Sequence, residues 1–181
     1  MRVAGTYLLD ASVERVWPLI FDPVALVGLI PGCQRMEQVG PNEYRGQIQV
    51  GLTGITGIYD VVVRIAEQEE PHFCRLEGEV SSSAGSMKGA ASFRLKEEVD
   101  HRTLIEYEGN AMLMGALAKF SSRFFEGVAQ TMINQGLGKL NAQLQASSAG
   151  RPVSGKRGFS LTNFFKRIFT AIQAAFGKRH P

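Results

Sequence analysis

The longest helical pattern in the chain lies at residues 115–146, which read GALAKFSSRFFEGVAQTMINQGLGKLNAQLQA. Apolar residues recur there every three to five positions, close to the 3.6-residue period that places side chains on one face of a helix. The sequence therefore predicts one long helix over this whole range. Gly127, Gly136 and Gly138 interrupt it, although each interior glycine costs about 1 kcal/mol relative to alanine. Such glycines indicate close packing or room for a ligand, and we expect a close approach at Gly127.

The residues before this helix favour an antiparallel sheet. Two short helices are predicted at 13–20 and 24–29, and the intervening and following segments alternate between apolar and polar residues, as half-buried strands do. The predicted strands are residues 3–9, 36–39, 43–52, 55–65, 73–80, 87–95 and 103–113. The order of these elements predicts an α+β fold, in which about six or seven strands wrap around one long C-terminal helix.

The inward face of the predicted sheet mixes small residues with aromatic ones. Glycine and alanine opposite a helix leave space, and tyrosine hydroxyls in that space are suited to the polar end of a ligand. The alternative is a filled core, in which the glycines mark bulges and curvature. The predicted ligand-binding residues are Tyr44, Ile48, Tyr59, Val61, Phe93, Tyr107, Leu117, Phe120, Phe124, Val128 and Met132.

Nothing in the sequence requires catalysis or a metal. His72 and His101 fall in predicted turns and His180 is next to last in the chain, so a Ser-His-Asp or Cys-His arrangement is hard to build. Cys33 and Cys74 have no partner at metal-ligand spacing and are expected to be buried or partly buried thiols. We therefore predict a protein that is not an enzyme and that has no catalytic or metal-binding residues.

Several short motifs occur in the order found in one known family. They are residues 5–7 (GTY), 10–17 (DASVERVW), 30–33 (IPGC), 50–57 (VGLTGITG), 85–89 (GSMKG) and 122–129 (SRFFEGVA). Together they resemble the CoxG family of carbon monoxide dehydrogenase subunits over about residues 1–146. The resemblance implies a START-like, or helix-grip, fold with an apolar cavity. It also implies an accessory role beside a molybdenum-containing carbon monoxide dehydrogenase, in membrane attachment or electron transfer, rather than redox catalysis itself.

The charge distribution separates a body from a tail. Residues 1–146 carry 13 basic and 17 acidic side chains, whereas residues 147–181 carry seven basic and no acidic ones. Residues 147–159 are rich in Ser, Gly, Pro and basic residues, which predicts a flexible linker after the ligand-binding domain. Residues 160–181 predict a basic amphipathic helix with clustered phenylalanines. Its predicted membrane-binding residues are Leu161, Phe164, Phe165, Lys166, Arg167, Ile168, Phe169, Ile172, Phe176, Lys178 and Arg179.

The tail is too short and too charged to span a bilayer, so the pattern favours a position in the membrane interface. Docking in a groove of a partner protein and packing on the chain's own body are the alternatives. Nucleic acid is a weaker alternative, because the clustered phenylalanines suit lipid better than phosphate. The start of the chain shows no signal-peptide pattern. We therefore expect a cytoplasmic protein at the inner face of the cell membrane.

Together the cavity and the tail predict a carrier. The body would hold a respiratory quinone, menaquinone or ubiquinone, without a covalent bond, and the tail would bring it to the membrane. The protein would link a soluble carbon monoxide dehydrogenase to the membrane quinone pool, or hold that enzyme at the membrane. Two alternatives remain: a recruitment scaffold that binds no ligand, and a START-like enzyme acting on a small hydrophobic substrate.

Overall fold

The structure, a computed structural model, describes residues 1–52 and 55–148. The predicted tail helix and nearly all of the predicted linker lie outside these residues. Ten strands and α-helices are described, joined by 3₁₀ turns at Val99–His101 and Ala116–Lys119. They are β1 (Arg2–Leu9), α1 (Val13–Phe21), α2 (Pro23–Leu29), β2 (Cys33–Gly40), β3 (Glu43–Val50), β4 (Gly57–Glu69), β5 (Phe73–Ser82), β6 (Gly85–Glu98), β7 (Arg102–Gly115) and α3 (Ser122–Ser148).

All seven strands form one antiparallel sheet in the order β1-β7-β6-β5-β4-β3-β2. Strands β2 to β7 are a meander of successive hairpins, and β1 pairs with the last strand, with Gly5 opposite Tyr107. Helices α1 and α2 connect the first strand to the far edge of the sheet. The α+β fold expected from the alternating patterns, with one long C-terminal helix on the sheet, is confirmed.

The inner face of the central strands carries little side-chain volume. Gly78 lies opposite Gly89, and Ala91 lies opposite Gly109. A Cβ added at Gly89 would lie 2.8 Å from the Cβ of Ala111, which is shorter than real Cβ contacts. These positions bring little side-chain volume to the inner face, and an apolar pocket of about 190 Å³ lies there, next to Met1 and Val3.

Helix α3 begins later than predicted. Strand β7 continues to Gly115, which pairs with Gly85 and has a φ of 68°. A 3₁₀ turn follows, and the backbone N–H of Phe124 donates to Oγ of Ser121 at 3.3 Å, so Ser121 caps the helix. The prediction of a helix from residue 115 is therefore wrong at its start. At its other end α3 runs to Ser148, two residues into the predicted linker 147–159.

The C-terminal half of α3 is fastened to the start of the chain. The Asp10 carboxylate accepts hydrogen bonds from Nδ2 of Asn141 at 2.9 Å and from Nε2 of Gln145 at 2.6 Å. Leu140 and Leu144, at 2% and 1% exposure, enter a core cluster with residues of β1, α1, β6 and β7. This end of the helix is thus held by both apolar burial and polar contacts.

The close approach expected at Gly127 is absent, because a Cβ added there would meet no described atom within 4 Å. The close approach occurs at Gly136, where an added Cβ would lie 3.3 Å from the carbonyl oxygen of Leu29. Gly136 therefore allows α3 to lie against the backbone of α2. Within the part of the chain that the structure describes, no helix is long and apolar enough to cross a bilayer.

The Asp10 contacts predict a pH-dependent contribution to stability. Hydrogen bonds from Asn141 and Gln145 hold the pKa of the Asp10 carboxyl below its ordinary value of 3.8. A carboxyl whose pKa is lowered by folding stabilises the protein above its unfolded-state pKa, and the effect is lost as pH falls through the folded-state pKa. We expect Asp10→Ala to lower the urea midpoint at neutral pH and to differ less from wild type at about pH 2.

Glu37→Ala, at an exposed position on β2, is the control for the loss of one negative charge. Urea unfolding of all three proteins at both pH values gives the comparison. An Asp10→Ala defect that is equally large in acid would show that the carboxylate contacts do not cause it.

Candidate functional site

Two apolar cavities lie between α3 and the inner face of the sheet. Cavity 1, of about 170 Å³, lies under the N-terminal half of α3. Strands β3 to β6, the segment after β3 and the 3₁₀ turn before α3 supply most of the rest of its wall. It is lined by Met1, Pro31, Ile48, Gln49, Val50, Leu52, Ile55, Tyr59, Val80, Met87, Leu117, Phe125, Val128, Ala129, Thr131 and Met132.

Cavity 2, of about 410 Å³, lies under the middle of α3, on the side of α1 and α2. Its size is within the range of ~300–1,000 Å³ that is usual for small-molecule sites, whereas cavity 1 alone is smaller. It is lined by Ile20, Phe21, Leu26, Leu29, Ile30, Pro31, Met36, Tyr44, Val63, Ile65, Leu76, Phe93, Met132, Ile133, Gly136, Leu137 and Leu140.

The hydroxyl groups in these walls already donate to backbone carbonyls. The Tyr59 hydroxyl donates to the oxygen of Ile55 at 3.3 Å, and the Tyr44 hydroxyl donates to the oxygen of Phe21 at 3.0 Å. Burial raises the pKa of the Tyr44 phenol, so this group stays protonated. The walls therefore offer a ligand mainly apolar contact, with hydroxyl lone pairs as acceptors.

The structure brings seven of the eleven predicted ligand-binding residues to the two cavities. Cavity 1 contains Ile48, Tyr59, Leu117, Val128 and Met132. Cavity 2 contains Tyr44, Phe93 and again Met132. The other four, Val61, Tyr107, Phe120 and Phe124, line neither of these cavities.

Tyr107 lies at a different contact from the one predicted. Its hydroxyl accepts a hydrogen bond from Nε2 of Gln130 at 2.5 Å, which links β7 to α3. The ring passes close over Gly5, where an added Cβ would lie 2.8 Å from the ring carbon that bears the hydroxyl. The expectation that Tyr107 presents its hydroxyl to a ligand in the cavity is therefore wrong in this structure.

Three phenylalanines at the start of α3 form one aromatic cluster. The rings of Phe120 and Phe124 stack at 5.6 Å, and Phe125 meets Phe124 edge-on at 5.4 Å. Phe125 faces cavity 1, and the other two pack behind it. The sequence prediction placed Phe120 and Phe124 on one helical face with Val128 and Met132. Val128 and Met132 do line cavity 1, whereas Phe120 lies before the helix, and in the first turn Phe125 lines the cavity instead of Phe124.

The sequence prediction also missed the contribution of α2 and the turn after it. Pro31 lines both cavities, and Leu26, Leu29 and Ile30 line cavity 2. The available signal was the composition of α2, PVALVGL, which contains no polar residue. A short helix without a polar face is expected to lie over apolar surface.

The described residues contain no group of three or more His, Cys, Asp or Glu side chains placed to hold a metal ion. His72 and His101 are exposed. Cys33 is half-buried and Cys74 is fully buried, as expected. Cys74 lies in the core cluster that includes Phe93, and burial raises the pKa of its thiol to about 11. This thiol is therefore neutral at physiological pH.

Comparison with solved structures places the fold among START-like proteins. A protein from Geobacillus kaustophilus is 25% identical, with a TM-score of 0.77 over 81% of this chain and 97% of that one. A START superfamily protein from Mycobacterium smegmatis is 12% identical, with a TM-score of 0.62 over 80% of this chain and 97% of that one. Comparison with curated protein sequences gives no significant match.

The family comparison covers nearly the whole described part of the chain. Residues 5–145 match the CoxG family, which is described as a subunit of carbon monoxide dehydrogenase. The matched region begins in β1 and ends in α3, so it includes every lining residue of the two cavities except Met1. The START-like architecture and this match agree with the resemblance seen in the short motifs, and the chain belongs to the CoxG family.

Proposed function

We propose that this protein carries a respiratory quinone, menaquinone or ubiquinone, held without a covalent bond beneath α3. The observation that carries the proposal is the pair of apolar cavities between α3 and the sheet. A buried CH₂ group contributes about 0.8 kcal/mol, so an isoprenoid chain gains affinity from such walls without polar contacts. The ring carbonyls would lie at an end of the site where water or a backbone N–H can reach them.

The family description supports a partner for this carrier. Members of the CoxG family are described as belonging to carbon monoxide dehydrogenase. We therefore propose an accessory role beside a molybdenum-containing carbon monoxide dehydrogenase, whose own centres carry out the oxidation. The carrier would take electrons from that soluble enzyme to the quinone pool by exchanging quinone and quinol.

The sequence of the tail supports a membrane step. Residues 160–181 combine four phenylalanines with basic residues at helical spacing. Partial burial of such side chains in the interface, with about 1 kcal/mol from each cation near an anionic leaflet, gives reversible binding. The carrier would thus work as a peripheral protein at the inner face of the membrane.

Mass spectrometry of organic extracts tests the ligand. We expect the full-length protein, purified from cells that make quinones, to release quinone on extraction. Ala129→Leu adds a larger side chain to the wall of cavity 1, and we expect it to retain about tenfold less quinone. If the added side chain fills unoccupied volume, the ligand-free variant gains about 0.5–2 kcal/mol in its free energy of unfolding.

Ala142→Leu makes the same substitution on an exposed position of α3, so it is the matched control for helix propensity. It should retain quinone as the wild type does. A wild-type protein that yields no quinone and takes up neither menaquinone nor ubiquinone from vesicles would contradict the carrier. Co-purification with the dehydrogenase in that case would favour a scaffold, and turnover of a small hydrophobic substrate would favour an enzyme.

Flotation with anionic liposomes tests the tail. Deleting residues 150–181 leaves every described element intact, so we expect normal unfolding and loss of liposome binding. A second variant changes Phe164, Phe165, Phe169 and Phe176 to alanine and keeps all the cations. It should bind weakly and only at low salt, because the apolar contribution is lost. Liposome binding by the deletion variant that equals wild type would remove the membrane step.

A further inference from the structure

Pro31 and Met132 line both cavities and stand between them. Pro31 belongs to the turn after α2, and Met132 lies near the middle of α3. We propose that the two cavities are compartments of one site for an elongated apolar chain, and that the Met132 side chain controls passage between them. This inference rests on the proposed binding of an apolar ligand and adds the class of ligand shape that the site accepts.

The Pro31 side of the passage is fixed. Pro31 is buried, and the carbonyl oxygen of Gly32 accepts a hydrogen bond from the backbone N–H of Gln49 in β3 at 2.8 Å. Gly32 has a φ of 78°, and a Cβ there would clash with the carbonyl oxygen of Gln49. The turn is therefore tied to β3 by a hydrogen bond and by a close approach that only glycine allows.

The Met132 side of the passage can change. The backbone of α3 is held one turn later, where Gly136 approaches the carbonyl oxygen of Leu29. Two turns later, Nζ of Lys139 donates to the oxygen of Gly28 at 2.9 Å. The helix as a whole is therefore not free to move away from α2. A methionine side chain is unbranched and has three rotatable bonds, so Met132 can rotate aside without backbone movement.

The sizes of the compartments favour an elongated ligand over a compact one. Cavity 1, at about 170 Å³, is too small for a typical small-molecule ligand, whereas cavity 2 offers about 410 Å³. A compact ligand in cavity 2 would leave cavity 1 unused. A chain that passes Met132 fills both compartments and buries methylene groups along its whole length.

Straight-chain primary alcohols from hexanol to hexadecanol give the test, with affinity and stoichiometry measured by titration calorimetry on the full-length protein. Each buried methylene group should raise affinity about fourfold until the chain fills the accessible space, where the increase stops. For wild type we expect affinity to stop rising only at long chain lengths, with one long alcohol bound per protein. For Met132→Phe we expect affinity to stop rising at shorter chain lengths. The longest alcohols should bind to this variant about tenfold more weakly than to wild type.

Met112→Phe is the matched control, because it makes the same substitution at a residue of β7 that is 70% exposed. It should follow the wild-type chain-length curve. Met132→Ala is a second variant at the same residue, which tests the passage even if Met132→Phe does not fold. By widening the passage, it should let long alcohols associate faster than with wild type in stopped-flow measurements.

Two results separate failure of this inference from failure of the proposed function. A wild-type protein that carries quinone, with identical curves for wild type, Met132→Phe and Met132→Ala, would overturn the role of Met132 and leave the carrier standing. A wild-type protein that binds neither quinone nor any alcohol would overturn both. Binding of several long alcohols per protein, unaffected by Met132→Phe, would indicate surface adsorption and would also overturn the inference.

Discussion

The volume that this protein encloses depends on how α3 is held at its C-terminal end. Asp10 receives hydrogen bonds from Asn141 and Gln145, and Leu140 and Leu144 are almost completely buried next to β1 and α1. The attachment continues toward the N-terminal end, because Gln130 donates to the Tyr107 hydroxyl of β7 and Gly136 lies against the backbone of α2. Cavity 1 and cavity 2 lie between the inward residues of the helix and the larger side chains of strands β2 to β6. The two cavities are therefore the space that remains between the sheet and a helix held at Asp10, at Tyr107 and against α2.

The strands could be predicted well from the sequence, because alternation depends on local chemistry at every second residue. The helix could be predicted in type and along most of its inward face, but not at its start. Counting a 3.6-residue period through residues 115–121 treated a strand end and a 3₁₀ turn as helix, so Phe120 was assigned to a helix that begins only at Ser122. Val128 and Met132 of the predicted face do line cavity 1, but in the first turn Phe125 lines it instead of Phe124. The signal for the true start of the helix was Ser121, a residue type that commonly caps helices.

Other features of the site depend on contacts between residues far apart in sequence, which no local pattern reveals. Gly127 and Gly136 are both interior glycines of α3, yet only Gly136 faces the backbone of another helix. In the same way, Tyr59 and Tyr107 are both inward-facing tyrosines, but Tyr107 meets Gln130 while Tyr59 stays in the cavity wall. What distinguishes the members of each pair is the docking of α2 and α3 on the sheet. The sequence therefore predicts that a cavity exists more readily than which residues surround it.

The depth of Cys74 has a chemical consequence for the interior. Thiolates add readily to electron-poor rings and double bonds, and they are also the form that oxidants attack first. With a pKa of about 11, Cys74 presents almost no thiolate at neutral pH, although it lies in the same core cluster as Phe93 of the cavity 2 wall. A quinone bound as proposed would therefore meet a neutral thiol at this position, and covalent addition of Cys74 to its ring would be slow. Burial thus keeps the one cysteine of this core cluster in its unreactive, protonated form.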